Sequence, residues 1–397
     1  MSRANRYFMA IIGTAWLFDA MDVALLSFIM PILKLEWSLT PGQLGLISAS
    51  TSIGMVVGAP ICGLLADKYG RKNVLIGTLI LFSLGNILLT LTHNISGFIA
   101  VRFITGIGLG GELPVAATAV ADRFSGKKQA KMLVIADSFW AIGWIFAALL
   151  SFLVMPKIGW RFTILIASIT VVFAFIMRRH LSIEPHQNHT VKQHSISALW
   201  QSKYRRPLII LGALWFVVML SYYGMFLWLP SVLVLRGLPI VNSFGYTLLI
   251  SIAQLPGYFF AVYLLGKISR KQVLFIYLTG TIISALAFGG VGTNTLVLIC
   301  GACLSFFMLG TWGTLIALTP SQFPQEIRGT GMGMAQAIGR IGAVIGPFLV
   351  GIALEFNISI TSIWLGFVTI LIIGVLILTL GISKNDNAYS ETIAHEK

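Results

Sequence analysis

Long apolar runs follow one another along this chain with only short polar interruptions, and each run is close to or beyond the roughly 20 residues that a helix needs to cross a bilayer. The pattern predicts spans at 7–33, 43–66, 73–92, 97–121, 131–155 and 159–179, and again at 207–233, 243–266, 273–291, 295–318, 330–354 and 360–382. One long polar stretch, Arg178 to Arg206, divides the sixth span from the seventh. The expected fold is an all-α membrane protein with twelve transmembrane helices in two six-helix halves. Those halves are expected at residues 1–177 and 207–383, joined by a linker at 178–206 and followed by a tail at 384–397. The first run contains Asp19 and Asp22 and is too long for the apolar core of a signal peptide, so it reads as a permanent helix.

The halves repeat. Asp67-Lys68-Tyr69-Gly70-Arg71-Lys72 superposes on Gly266-Lys267-Ile268-Ser269-Arg270-Lys271, and the same offset carries Phe124 to Phe323 and Gly143 to Gly342. Parallel internal repeats put a solute site between the two halves, near the membrane midplane.

Composition agrees with the pattern: 57% of the 397 residues are hydrophobic and only 10% are charged. A net charge of +14 would suggest a nucleic-acid partner in a soluble protein, but here the cations sit in alternate loops. Arg3, Arg6, Lys68, Arg71, Lys72, Arg123, Lys127 and Lys128 lie on one side, together with the linker cations and Lys267, Arg270, Lys271 and Arg328. The opposite loops hold Lys34, Lys157, Arg161 and Arg236. The positive-inside rule then sets both termini in the cytoplasm. Cys62, Cys300 and Cys303 all fall in apolar runs, and the C-x-x-C of the last two reads as helix packing rather than a metal or redox site. His186, His189 and His194 lie in the polar linker and read as solvated. The sequons at Asn94 and Asn357 hug the membrane and read as chance.

Ionisable groups inside a bilayer are costly and point to function. They are Asp19 and Asp22 in the first span, Arg102 and Glu112 in the fourth, Asp137 in the fifth and Arg340 in the eleventh. Asp19 and Asp22 are three apart and share one helix face. A buried carboxylate whose contact with an arginine changes as the protein moves can load and unload a proton. Arg340 has no acid near it in the apolar part of its own half, and a guanidinium binds a carboxylate through two parallel hydrogen bonds. Tyr222, Tyr223, Trp228, Trp312 and Trp140 can supply ring stacking, and Gln254 and Gln336 polar contacts. Gly106, Gly108 and Gly111 satisfy G-x-G-x-x-G, but inside an apolar helix they read as close helix packing rather than a nucleotide loop.

Gly63-Leu64-Leu65-Ala66-Asp67-Lys68-Tyr69-Gly70-Arg71-Lys72 resembles the signature of the major facilitator superfamily. That resemblance implies a gate formed by Gly63, Asp67, Gly70, Arg71 and Lys72. Gly266 and Ser269 replace the acid and glycine in the second copy, so the first is expected to dominate gating. The D-x-x-D of the first span and the Arg102–Ala116 string are similar to the aromatic-acid and metabolite proton symporters, and Asp22 with Arg102 also matches the proton site of sugar porters.

Asp137–Trp144, Ser221–Pro230, Gln254–Phe259 and Gly339–Gly342 resemble the bacterial niacin permeases over almost the whole chain. The chain departs from them at Asp137, where a glutamate is expected, and in the linker. The resemblance implies a bacterial inner-membrane importer of nicotinate, a flat aromatic monocarboxylate, coupled to protons. Its expected partners are a small organic anion, protons and membrane lipids, with no nucleic acid, no cofactor beyond the coupling proton, and a monomeric state. A proton symporter for another aromatic or organic acid or for a sugar is the nearest rival, and a non-transporting membrane sensor is the rival from another class. The symmetric halves and intramembrane charges argue against the sensor, as does the want of any nucleophile constellation.

Overall fold

A computed structural model describes residues 3–124, 126–179, 202–324 and 327–382, with the side chains of some residues in these ranges outside the description. Every expected span forms helix. The first bundle comprises α1 (Arg3–Glu36), α2 (Pro41–Tyr69), α3 (Arg71–Thr90), α4 (Ile95–Arg123), α5 (Gly126–Leu153) and α6 (Met155–Arg179). The second comprises α7 (Ser202–Leu227), α8 (Leu229–Leu235), α9 (Ile240–Ile252), α10 (Gln254–Leu265), α11 (Arg270–Gly290), α12 (Asn294–Leu318), α13 (Arg328–Glu355) and α14 (Ile360–Gly381). Ten described stretches are long and apolar enough to cross a membrane, and Ile95–Gly111 is a shorter one. Ile283, Leu286, Phe259 and Leu380 are among the large apolar side chains left exposed on the outside, as lipid contact requires.

The seventh and eighth spans are each broken in two. Pro230 and Pro256 lie just after the breaks at Trp228 and Ala253, and a proline has no N–H to continue the ladder of the preceding turn. The sequons have a local explanation: Asn94 caps α4 by accepting from the Gly97 N–H, and Ser359 caps α14. Gly70 joins α2 to α3 at φ 84°, a conformation that explains the glycine of the signature turn.

The repeat holds in three dimensions. A methyl on Gly143 of α5 would strike the Leu17 carbonyl of α1, and a methyl on Gly342 of α13 would strike the Phe216 carbonyl of α7. Gly58 meets Ile107 as Gly257 meets Phe306, again at the sequence offset that relates the two copies. Gly106, Gly108 and Gly111 press against α2 and α3, so the G-x-G-x-x-G string is a packing seam as expected.

The bundles meet tightly at the end where α1 finishes. Gly45 of α2 and Gly351 of α13 approach backbone to backbone, the Gly42 N–H donates to Glu355 Oε2 at 2.5 Å, and Phe28 packs edge-on against Phe244 at 5.3 Å.

Candidate functional site

Two buried polar clusters emerge. The first lies inside the first bundle. Arg102 Nη1 donates to Asp22 Oδ2 at 3.1 Å, Arg102 Nε donates to Thr51 Oγ1 at 2.9 Å, and Asn86 Nδ2 donates to Asp22 Oδ1 at 2.5 Å. These four residues come from α1, α4, α2 and α3, and all are buried. The Asp22–Arg102 pairing is the one the sequence suggests.

The second cluster lies where the bundles face each other. Tyr258 of α10 donates its hydroxyl to Asp137 Oδ2 of α5 at 2.7 Å, with the Trp312 indole beside the same carboxylate. Trp140 Nε1 donates to the Tyr222 hydroxyl at 2.7 Å. Trp140 and Trp312 lie nearly parallel, 15° apart with ring centroids at 6.3 Å, one from each bundle. Tyr222 packs against Tyr223, Phe226, Trp144 and Trp312, and Trp215 packs edge-on against Trp312. The Trp215 indole is itself fixed by Thr319 Oγ1 at 2.9 Å.

Arg340 is buried on α13 and donates from Nη1 to Met55 Sδ of α2 at 2.9 Å. Among the described residues it has no carboxylate within salt-bridge reach. The Tyr223 hydroxyl lies in the combined field of Arg340, Asp19 and Asp137, so these groups surround one region of the interface. Asp19 is fully buried one turn before Asp22. Gln336 is half-buried one turn before Arg340, and Gln254 is fully buried one turn before Tyr258.

Of the expected solute-binding residues, Arg340, Tyr222, Tyr223, Trp312 and Trp140 gather at this interface, and Gln254 lies one helical turn before Tyr258. Trp228 does not join the ring cluster through its indole, which donates to the Pro347 carbonyl at 2.9 Å and ties α7 and α8 to α13. The side chains of Glu112, Asp67 and Arg71 fall outside the described residues, as do the surroundings of Gly63; Gly70 and Lys72 stand at the α2–α3 turn. Sequence reasoning missed Tyr258, Met55, Asn86 and Thr51. The repeat offset sets Met55 opposite Gln254, and helix spacing sets Tyr258 on the face of Gln254, so both left a signal.

A family model described as Major Facilitator Superfamily matches residues 12–254 and 246–394. The chain is 45% identical over 366 residues to a Bacillus subtilis protein, NiaP, provisionally named a niacin/nicotinamide transporter, covering 91% of this chain and 92% of that one. It is 36% identical over 373 residues to the niacin transporter NiaP of Acinetobacter baylyi, covering 86% and 85%. In fold it is similar to a solved D-xylose-proton symporter, with TM-score 0.79 at 15% identity over 96% of this chain and 98% of that one.

Proposed function

Because the chain belongs to the Major Facilitator Superfamily, we propose that it imports nicotinate across a bacterial inner membrane by proton symport, the units 1–177 and 207–383 rocking about a central site. Membership makes it a multi-pass membrane transporter rather than an enzyme. The niacin named for two extensive relatives supports the choice of solute. Alternate-loop cations support cytoplasmic termini, so the end where the bundles meet tightly is the outer one.

The observation that carries this reading is Arg340. A guanidinium inside the bilayer needs a strong acceptor, and a thioether sulfur is a weak one. A carboxylate that displaces Met55 would accept two parallel hydrogen bonds in its place. Beside it stand the parallel indoles of Trp140 and Trp312. A flat ring sandwiched between two rings needs them about 7 to 8 Å apart, so an opening on the order of 1 Å from the present 6.3 Å makes the slot. One end of the site thus reads charge and the other reads flatness.

The proton is assigned to Asp137. Its hydrogen bond to Tyr258 crosses between the bundles, so rocking must break it, and an acid released on each stroke exchanges a proton with whichever side is open. Asp22 and Arg102 staple the first bundle, to which Asp19 and Glu112 also belong. Asp67, Gly63, Gly70, Arg71 and Lys72 act at the rim as the gate. Radiolabelled nicotinate uptake into proteoliposomes, with and without an imposed pH gradient, tests the reading: accumulation above equilibrium is expected only with the gradient. Equal uptake in protein-free vesicles would refute transport of this solute.

A further inference from the structure

Gln254 is fully buried, yet among the described residues neither its amide nitrogen nor its amide oxygen has a hydrogen-bond partner. A primary amide brings two donors and one acceptor, and leaving them unmet inside a protein is expensive enough that such groups call for an explanation. Packing alone gives none, since leucine or methionine would fill the same volume without that cost.

Its position supplies the explanation. The eighth span breaks at Ala253, and Gln254 is the first residue of α10, ahead of Pro256. Tyr258, one helical turn on and on the same face, donates to Asp137 beside Trp312. The unmet amide therefore stands next to the acid-and-indole end of the interface, on the opposite bundle from Asp137. Met55 occupies the equivalent place in the first copy of the repeat, and it reaches across to Arg340 on the other bundle. By the repeat, Gln254 holds with an amide the place from which Met55 reaches the other bundle with a thioether.

We infer that Gln254 is the residue that distinguishes a heteroaromatic carboxylate from a plain benzoic acid, by donating an amide N–H to the ring nitrogen of the solute. This deepens the nicotinate reading and rests on it: Arg340 binds the carboxylate, Trp140 and Trp312 bind the ring faces, and Gln254 reads the one ring atom that benzoate lacks. Benzoate presents a C–H at that point and leaves the amide unmet, so binding it keeps the cost that nicotinate removes.

The test is equilibrium binding of nicotinate and benzoate to purified full-length protein, wild type and with Gln254→Leu and Gln254→Met. Wild type should prefer nicotinate by about 10-fold to 100-fold, the range spanned by one buried hydrogen bond made or left unmet. Gln254→Leu should lose nearly all of that preference by weakening nicotinate while benzoate holds or improves, which also reports an intact fold. Gln254→Met keeps the length but removes the amide donors, and should likewise lose the preference. Three results overturn the inference: wild type that binds both acids equally, variants that weaken both acids equally, or variants that keep the preference. Failure of the nicotinate reading itself shows earlier and separately, as wild type that binds neither acid, and that also removes the inference.

Discussion

The Asp22–Arg102 cluster and the Asp137–Arg340 region both bury charge within the membrane, but the first closes on itself while the second is shared between two bundles. Asp22, Arg102, Asn86 and Thr51 bond to one another and come from four helices of one bundle, which they pin together. A rigid rotation of that bundle carries the whole cluster along without altering a bond. Asp137 and Arg340 instead hold partners on the opposite bundle, Tyr258 and Met55, so both contacts cross the boundary along which the bundles are proposed to move. A paired charge within one rigid body stabilises structure, whereas a charge whose partner lies across a moving boundary can sense solute, proton and conformation together.

The largest effect should come from breaking the closed cluster. Arg102→Met leaves Asp22 buried without its cation and should cost about 3 to 5 kcal/mol, read as a large drop in melting temperature in detergent. Asp22→Leu combined with Arg102→Met should recover most of that loss. A small loss in the single variant would mean that the cluster is not the staple described.

Next comes the proton. Asp137→Asn should reduce gradient-driven nicotinate accumulation to the level seen without a gradient, while counterflow of preloaded nicotinate continues. If accumulation survives there and vanishes in Asp22→Asn, the proton belongs to the ion pair and the comparison is reversed.

Tyr258→Phe removes one hydrogen bond between the bundles, worth about 0.5 to 3 kcal/mol, and should change counterflow rate by a few-fold without lowering the melting temperature in proportion. Smaller still is Glu355→Gln at the tight end. It keeps an acceptor for the Gly42 N–H but removes the charge, and should favour opening there by about 1 kcal/mol or less, read as faster labelling of a cysteine introduced nearby.

The same contrast explains what could be read from sequence. Span positions were legible because twenty-residue apolar runs have one physical use, and the repeat was legible because Gly143 and Gly342 serve the same backbone contact. Asp22 and Arg102 were legible as a pair because both fall in one half and match a known pattern. The breaks at Trp228 and Ala253 were hidden, since hydropathy runs on unbroken across them and only Pro230 and Pro256 hint at them. Contacts between bundles were the least legible: nothing in helical periodicity says that Tyr258 meets Asp137 or that an apolar Met55 meets Arg340. Those pairings depend on how two separately folded bundles dock.

The central claim is that the shared region binds a carboxylate through Arg340, and calorimetric titration with nicotinate and nicotinamide tests it most directly. Arg340→Lys keeps the charge but loses the planar two-bond fork, and should weaken nicotinate by about 1 to 3 kcal/mol, with Arg340→Ala weakening it further. Nicotinamide, where it binds, should be nearly unaffected by either change. Equal losses for acid and amide, in protein whose melting temperature is unchanged, would contradict the account and make Arg340 a structural or gating residue.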